Sequence, residues 1–181
     1  NRDIEIIKLL IAPEVLLIKN NYGETPLHIA LMEELDIEII KLLITPELLT
    51  TKDKKYNTPL HTALYSCKMS IDIIKQLITP ELLTMKNNYG ETPLHVSIIG
   101  QDNFDIDIIK LLITPEVLYQ KDMHSSTPFN TACAKFTDYE IIELLFKPKL
   151  LYIKDMYGDT PLHSICVDFA YYETIKLIVK P

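Results

Sequence analysis

The chain has 181 residues, 48% of them hydrophobic, which is enough apolar material for a substantial core. Its 25 acidic and 18 basic residues leave a net charge of −7, without the basic surplus or stripe of a typical nucleic-acid binder; the longest basic run is Lys54-Lys55. No apolar run reaches the roughly 18 residues of a membrane span, no signal-peptide pattern opens the chain, and Cys67, Cys133 and Cys166 have neither the CxxC spacing of a zinc site nor the even number of a disulfide framework.

The first 19 residues read as a helix, "IEIIKLLI", followed by "APEVLLIK". The chain opens without methionine and inside this helix, so a fragment excised from a longer protein is expected. Residues 20–53 give the fuller pattern. Asn20 to Gly23 is turn chemistry, with glycine free to take positive φ. Thr25 is a good N-cap, and Pro26 suits the first helical position, where no donor is needed. Leu27, Ala30 and Leu31 then form an inward face at helical spacing, and the helix should end near Glu33 or Glu34. Asp36 caps a second helix, Ile37 to Ile44, that is polar only at Glu38 and Lys41. A helix apolar nearly all round needs neighbours on both flanks. "TPELL" should stop it by Thr45. Thr-Pro-Glu there also reads as a fresh N-cap, predicting one short turn from Pro46 to Leu49.

The pattern returns along the chain. "TPLH" begins at Thr25, Thr58, Thr92 and Thr160, with a worn copy, "TPFN", at Thr127; the threonines are 33, 34, 35 and 33 residues apart. Acid–lysine pairs at i,i+3 recur as Glu5/Lys8, Glu38/Lys41, Asp72/Lys75, Asp107/Lys110 and Glu173/Lys176. They read as a solvated face, each pair contributing about a few tenths of a kcal/mol.

Thr-Pro-Leu-His opening a two-helix repeat of this period resembles the ankyrin repeat. The resemblance covers the whole chain and implies an all-α solenoid of stacked helix-turn-helix repeats with finger loops. It sets a register over one domain, 1–181, truncated at both ends: partial repeat 1–19, whole repeats 20–52, 53–86, 87–121 and 122–154, and partial repeat 155–181. Extra residues fall between helices near Ser66 to Met69 and Gly100 to Phe104. Two departures from the family bear on the fingers. Proline stands after the second helix (Pro46, Pro80, Pro115, Pro148), where ankyrin repeats commonly have glycine. The finger glycine is kept at Gly23, Gly90 and Gly158 but is Tyr56 and Ser125 elsewhere.

His28, His61, His95 and His163 share one repeat position. A catalytic base needs its own nucleophile or substrate pocket, and repeating it every 33 residues makes no chemical sense. The resemblance implies that this histidine bonds backbone between neighbouring fingers, with Asn130 replacing it once. The cysteines are expected to be buried free thiols in a reducing compartment.

In ankyrin-like arrays partners bind the concave side, which the resemblance maps onto three rows. The finger tips are Asn21/Tyr22, Lys54/Lys55, Asn88/Tyr89, Met123/His124 and Met156/Tyr157. The residues before the threonines are Glu24, Asn57, Glu91, Ser126 and Asp159. The first-helix ends are Met32/Glu33, Tyr65/Ser66, Ile99/Gly100, Ala134/Lys135 and Val167/Asp168. Met32, Tyr65, Ile99 and Val167 are more apolar than an exposed helix end requires. With Tyr22, Tyr89 and Tyr157 they make an apolar strip edged with carboxylates, for which an apolar partner ringed by basic residues is expected.

The leading functional expectation is a non-catalytic scaffold holding a protein partner. The alternative is an accessory recognition array of a larger enzyme or ubiquitin-ligase adaptor. No nucleophile–base set, phosphate loop or metal-spaced cluster is evident, so no enzyme activity, cofactor or nucleic acid is expected. The implied location is intracellular and cytoplasmic. Seventeen lysines against one arginine suggest an AT-rich genome, which would fit an effector acting in a host cytosol. Ile4, Ile7 and Leu10 at one end, and Leu177 and Ile178 at the other, lack neighbours and predict end-to-end association or fraying.

Overall fold

A computed structural model describes residues 2–66, 69–100, 105–135, 138–166 and 175. Among them are twelve α-helices and no strand. The first repeat remnant contains α1 (Arg2–Leu10) and α2 (Pro13–Leu16). Each later repeat opens with a proline-started helix: α3 (Pro26–Met32), α6 (Pro59–Tyr65), α8 (Pro93–Ile99), α10 (Pro128–Lys135) and α12 (Pro161–Ile165). Second helices are α4 (Ile37–Leu43), α7 (Ile71–Leu77), α9 (Ile106–Leu112) and α11 (Tyr139–Leu145). The short turn after each second helix is α-helical in α2 and α5 (Pro46–Leu49) and a 3-10 turn at Leu82–Thr84, Val117–Tyr119 and Pro148–Tyr152.

Local chemistry sets the boundaries. Side-chain oxygens of Asp36, Asp105 and Asp138 accept the N–H two residues on, at 3.0, 2.9 and 3.3 Å, and start the second helices. Thr79 and Thr114 cap the short turns at 3.4 and 3.2 Å. Thr45 makes no such cap bond, so α5 relies on its proline and on packing instead.

The helices form two parallel stacks. First helices pack in the order α3, α6, α8, α10, α12, and second helices in the order α1, α4, α7, α9, α11. Between them lies the core: Leu27, Leu60, Leu94 and Phe129 at one repeat position, and Ile40, Ile74, Ile109 and Ile142 at another, all at most 1% exposed. Phe129 replaces leucine and tilts against Phe146, with ring centroids 5.9 Å apart. The outer edge carries the acid–lysine pairs Glu5–Lys8, Glu38–Lys41 and Asp107–Lys110 at 3.2, 3.2 and 3.0 Å.

Cys133 is buried, and burial pushes its thiol up to about 12. Cys166, at the same repeat position, is exposed, contrary to the expectation of buried thiols. Among the described residues α12 has α10 on one side and no further first helix on the other. At the opposite end Ile4 and Ile7 pack against the core, whereas Leu9 and Leu10 are 87% and 67% exposed. Cys67, Glu173, Lys176, Leu177, Ile178, Val167 and Asp168 lie outside the described residues, as does most of the extra length after Gly100.

Candidate functional site

The finger face is built by one turn repeated five times. Its anchor is the first residue of each repeat. Oδ1 of Asn20, Asp53, Asn87, Asp122 and Asp155 accepts the N–H groups two and four residues later, at 2.8–3.0 Å. The turn needs a left-handed residue near its tip. Gly23, Gly90 and Gly158 supply it with φ of 78°, 72° and 86°, and Tyr56 and Ser125 adopt it as well, at 62° and 60°. The missing glycines therefore do not change the finger.

Neighbouring fingers are joined through their main chains. N–H groups of Lys54, Asn88, Met123 and Met156 donate to the carbonyls of Tyr22, Lys55, Tyr89 and His124, at 2.7–2.9 Å. Lysines add a second tie: Nζ of Lys19, Lys86 and Lys121 donates to the carbonyl of the equivalent lysine one repeat on, at 2.8, 2.7 and 3.4 Å. Sequence reading missed both the anchoring Asn/Asp and this lysine. The available signal was recurrence at the repeat period.

The histidines form the third tie. In His28, His61 and His95, Nδ1 accepts the backbone N–H of the threonine three residues earlier, at 3.2–3.3 Å. It lies 2.8 Å from that threonine's hydroxyl, which can also donate to it. The ring proton is therefore on Nε2, which donates to the carbonyls of Asn57, Glu91 and Ser126 in the next finger, at 3.2, 3.1 and 3.1 Å. Burial lowers the basicity of all three, to about 4 at His61 and His95. Both ring nitrogens are engaged within the stack, leaving none for a substrate. His163 keeps the threonine contact, at 2.7 Å to Thr160.

Above this base lies a groove of about 620 Å3, bounded by the first three fingers, α3 and α6. Tyr22, Glu24, Met32, Lys54, Lys55, Tyr65 and Tyr89 all line it. Glu91 stands beside it and accepts the Tyr65 hydroxyl at 3.0 Å. Burial, reinforced by that carboxylate, holds the Tyr65 phenol above its ordinary range and therefore protonated. Ile99 is half-buried at the end of α8, outside the groove lining. His124 and Tyr157 sit on the last two fingers, where His124 Nδ1 lies 3.2 Å from the Met156 sulfur. The candidate strip is thus divided, with its concentrated part in the first half of the array. Residues before the threonines turn partly inward: Glu24 and Glu91 each accept an amide N–H of their own finger's anchoring asparagine, at 2.8 and 2.7 Å.

Two stacked layers of short helices with a row of hydrogen-bonded fingers define a helical-repeat array. A family model for three copies of the ankyrin repeat matches residues 36–117, and a single-repeat model matches residues 22–48. The chain belongs to the ankyrin-repeat family. Ankyrin repeats are generally protein–protein interaction modules and are typically non-catalytic. No curated protein matches the chain. Among the described residues no helix is long and apolar enough to cross a membrane, and no three His, Cys, Asp or Glu side chains are grouped to hold a metal.

Proposed function

We propose that this array is a non-catalytic scaffold that holds a protein partner on its finger and first-helix face, with the groove between the first three fingers as the centre of contact. The supporting observation is the convergence of Tyr22, Met32, Tyr65 and Tyr89 on one groove while remaining solvent-accessible, Tyr22 at 71% and Tyr65 at 40%. Large apolar side chains left open together mark interaction sites, and tyrosine is enriched among residues that dominate binding energy.

The test begins with a partner captured by the whole chain. Tyr89→Ala and Met32→Ala should each weaken it by about 2 kcal/mol or more with little change in melting temperature. Lys110→Glu, on the opposite edge, should leave affinity unchanged. Affinity governed by Lys110 and its neighbours, and indifferent to Tyr89 and Met32, would place the binding face on the wrong side of the stack.

A further inference from the structure

The polar side chains around the groove fall into two groups. Each bordering carboxylate accepts hydrogen bonds from within the stack. Glu24 accepts from the Asn20 amide at 2.8 Å. Asp53 accepts from the N–H groups of Lys55 and Asn57, at 2.8 Å each, and from the Asn57 amide at 3.0 Å. Glu91 accepts the Tyr65 hydroxyl and the Asn87 amide. These bonds consolidate the fingers. The ammonium groups of Lys54 and Lys55 and the hydroxyls of Tyr22 and Tyr89, by contrast, make no hydrogen bond or ion pair among the described residues, and all four residues are exposed. Lys54-Lys55 is also the sole basic pair among the five finger tips, and it lies between the two tyrosine tips. The open side-chain ends of Lys54, Lys55, Tyr22 and Tyr89, on three adjacent fingers, all offer donors, two of them cationic.

An open pair of ammonium groups flanked by two phenols, beside an apolar floor, suits an acceptor-rich, anionic segment with an apolar anchor, because bonds from an ammonium to a carboxylate are stronger than neutral ones. On the reading that this groove is the partner face, we infer that its occupant is an extended acidic segment of a protein. One carboxylate lies between Lys54 and Lys55 within reach of a tyrosine hydroxyl, and an adjoining aliphatic or aromatic side chain rests on Met32 and the Tyr65 ring. It departs from the expectation of an apolar partner ringed by basic residues, because the carboxylates behind that expectation already accept hydrogen bonds within the stack. The net charge of −7 repels acidic chains elsewhere on the surface, which confines capture to segments that reach the paired lysines.

Selection of random phage-displayed dodecapeptides against the whole chain tests this. Lys54→Glu/Lys55→Glu, Lys54→Gln/Lys55→Gln and Met32→Lys/Tyr89→Ala variants serve for comparison, their folding checked by thermal melting. Enriched peptides should carry Asp or Glu next to Leu, Ile, Met or Phe. As synthetic peptides they should lose about tenfold or more in affinity for both lysine variants and weaken as salt rises. Basic or neutral winners that are lost only with Met32→Lys/Tyr89→Ala would overturn the acidic partner and keep the groove. Winners indifferent to every groove substitution, or no enrichment at all, would overturn both readings.

Discussion

Asn130 isolates what the repeated histidine does. Its Oδ1 accepts the Thr127 N–H and hydroxyl at 3.3 and 2.5 Å, and its Nδ2 donates to the Ile153 carbonyl at 3.2 Å. The acceptor-and-donor pattern of the imidazole is kept without a group that titrates. The histidines, in contrast, tie the array to pH. Folding holds them neutral, while the unfolded chain takes up protons near the ordinary value of 6.5. Their folded pKa is lowered, so the unfolded state binds more protons in the window between. Stability should be full above pH 6.5 and fall as pH drops towards 4, by up to about 1.4 kcal/mol per pH unit for each histidine. A His61→Asn/His95→Asn variant should lose about 3 kcal/mol less than the parent between pH 6.5 and pH 5. Urea unfolding at several pH values gives the comparison, and parallel pH profiles would refute the assignment.

At the scale of the element, the finger shows where sequence reading reached its limit. The stack was legible because four "TPLH" copies and the "IIKLL"-type second helices recur in register, and each local signal agrees with the next. The fingers at Tyr56 and Ser125 were not. The rule that a positive φ wants glycine is local, whereas here Asp53 and Asp122 bind two N–H groups of each turn and the neighbouring finger adds another bond. Together these outweigh the roughly 1–2 kcal/mol of a left-handed side chain. The groove residues were nameable one by one from the register. That Glu91 is bound by Tyr65, 26 residues earlier, is set by how repeats stack and leaves no local mark. Glycine has a second role where fingers touch. A Cβ on Gly90 would stand 2.7 Å from the Met123 nitrogen and 2.9 Å from the Asp122 carbonyl carbon, whereas one on Gly158 meets nothing within 4 Å. Both alanine substitutions carry the φ strain, so Gly90→Ala should lower the melting temperature clearly more than Gly158→Ala. Equal shifts in differential scanning fluorimetry would show that finger contact adds nothing.

Over the whole molecule, the same few ties recur at each of the four junctions between fingers: a main-chain bond, a His or Asn bridge, and a layer of buried aliphatic side chains. None of the described hydrogen bonds reaches past the adjacent repeat. Stability of such an array is a sum of neighbouring terms. This has a mechanical consequence. Among the described residues no hydrogen bond loads every repeat at once, so pulling the protein from its two ends should strip repeats singly. Each release frees 33 to 35 residues of chain, on the order of 110–120 Å of slack at full extension. An optical-trap trace should show a staircase with that spacing, and on relaxation each released repeat should re-dock on the face its neighbour still presents. One abrupt rupture of the full length would show longer-range cooperation. A staircase would make the array a tether that lengthens under load in fixed increments, keeping its remaining fingers in register while it gives.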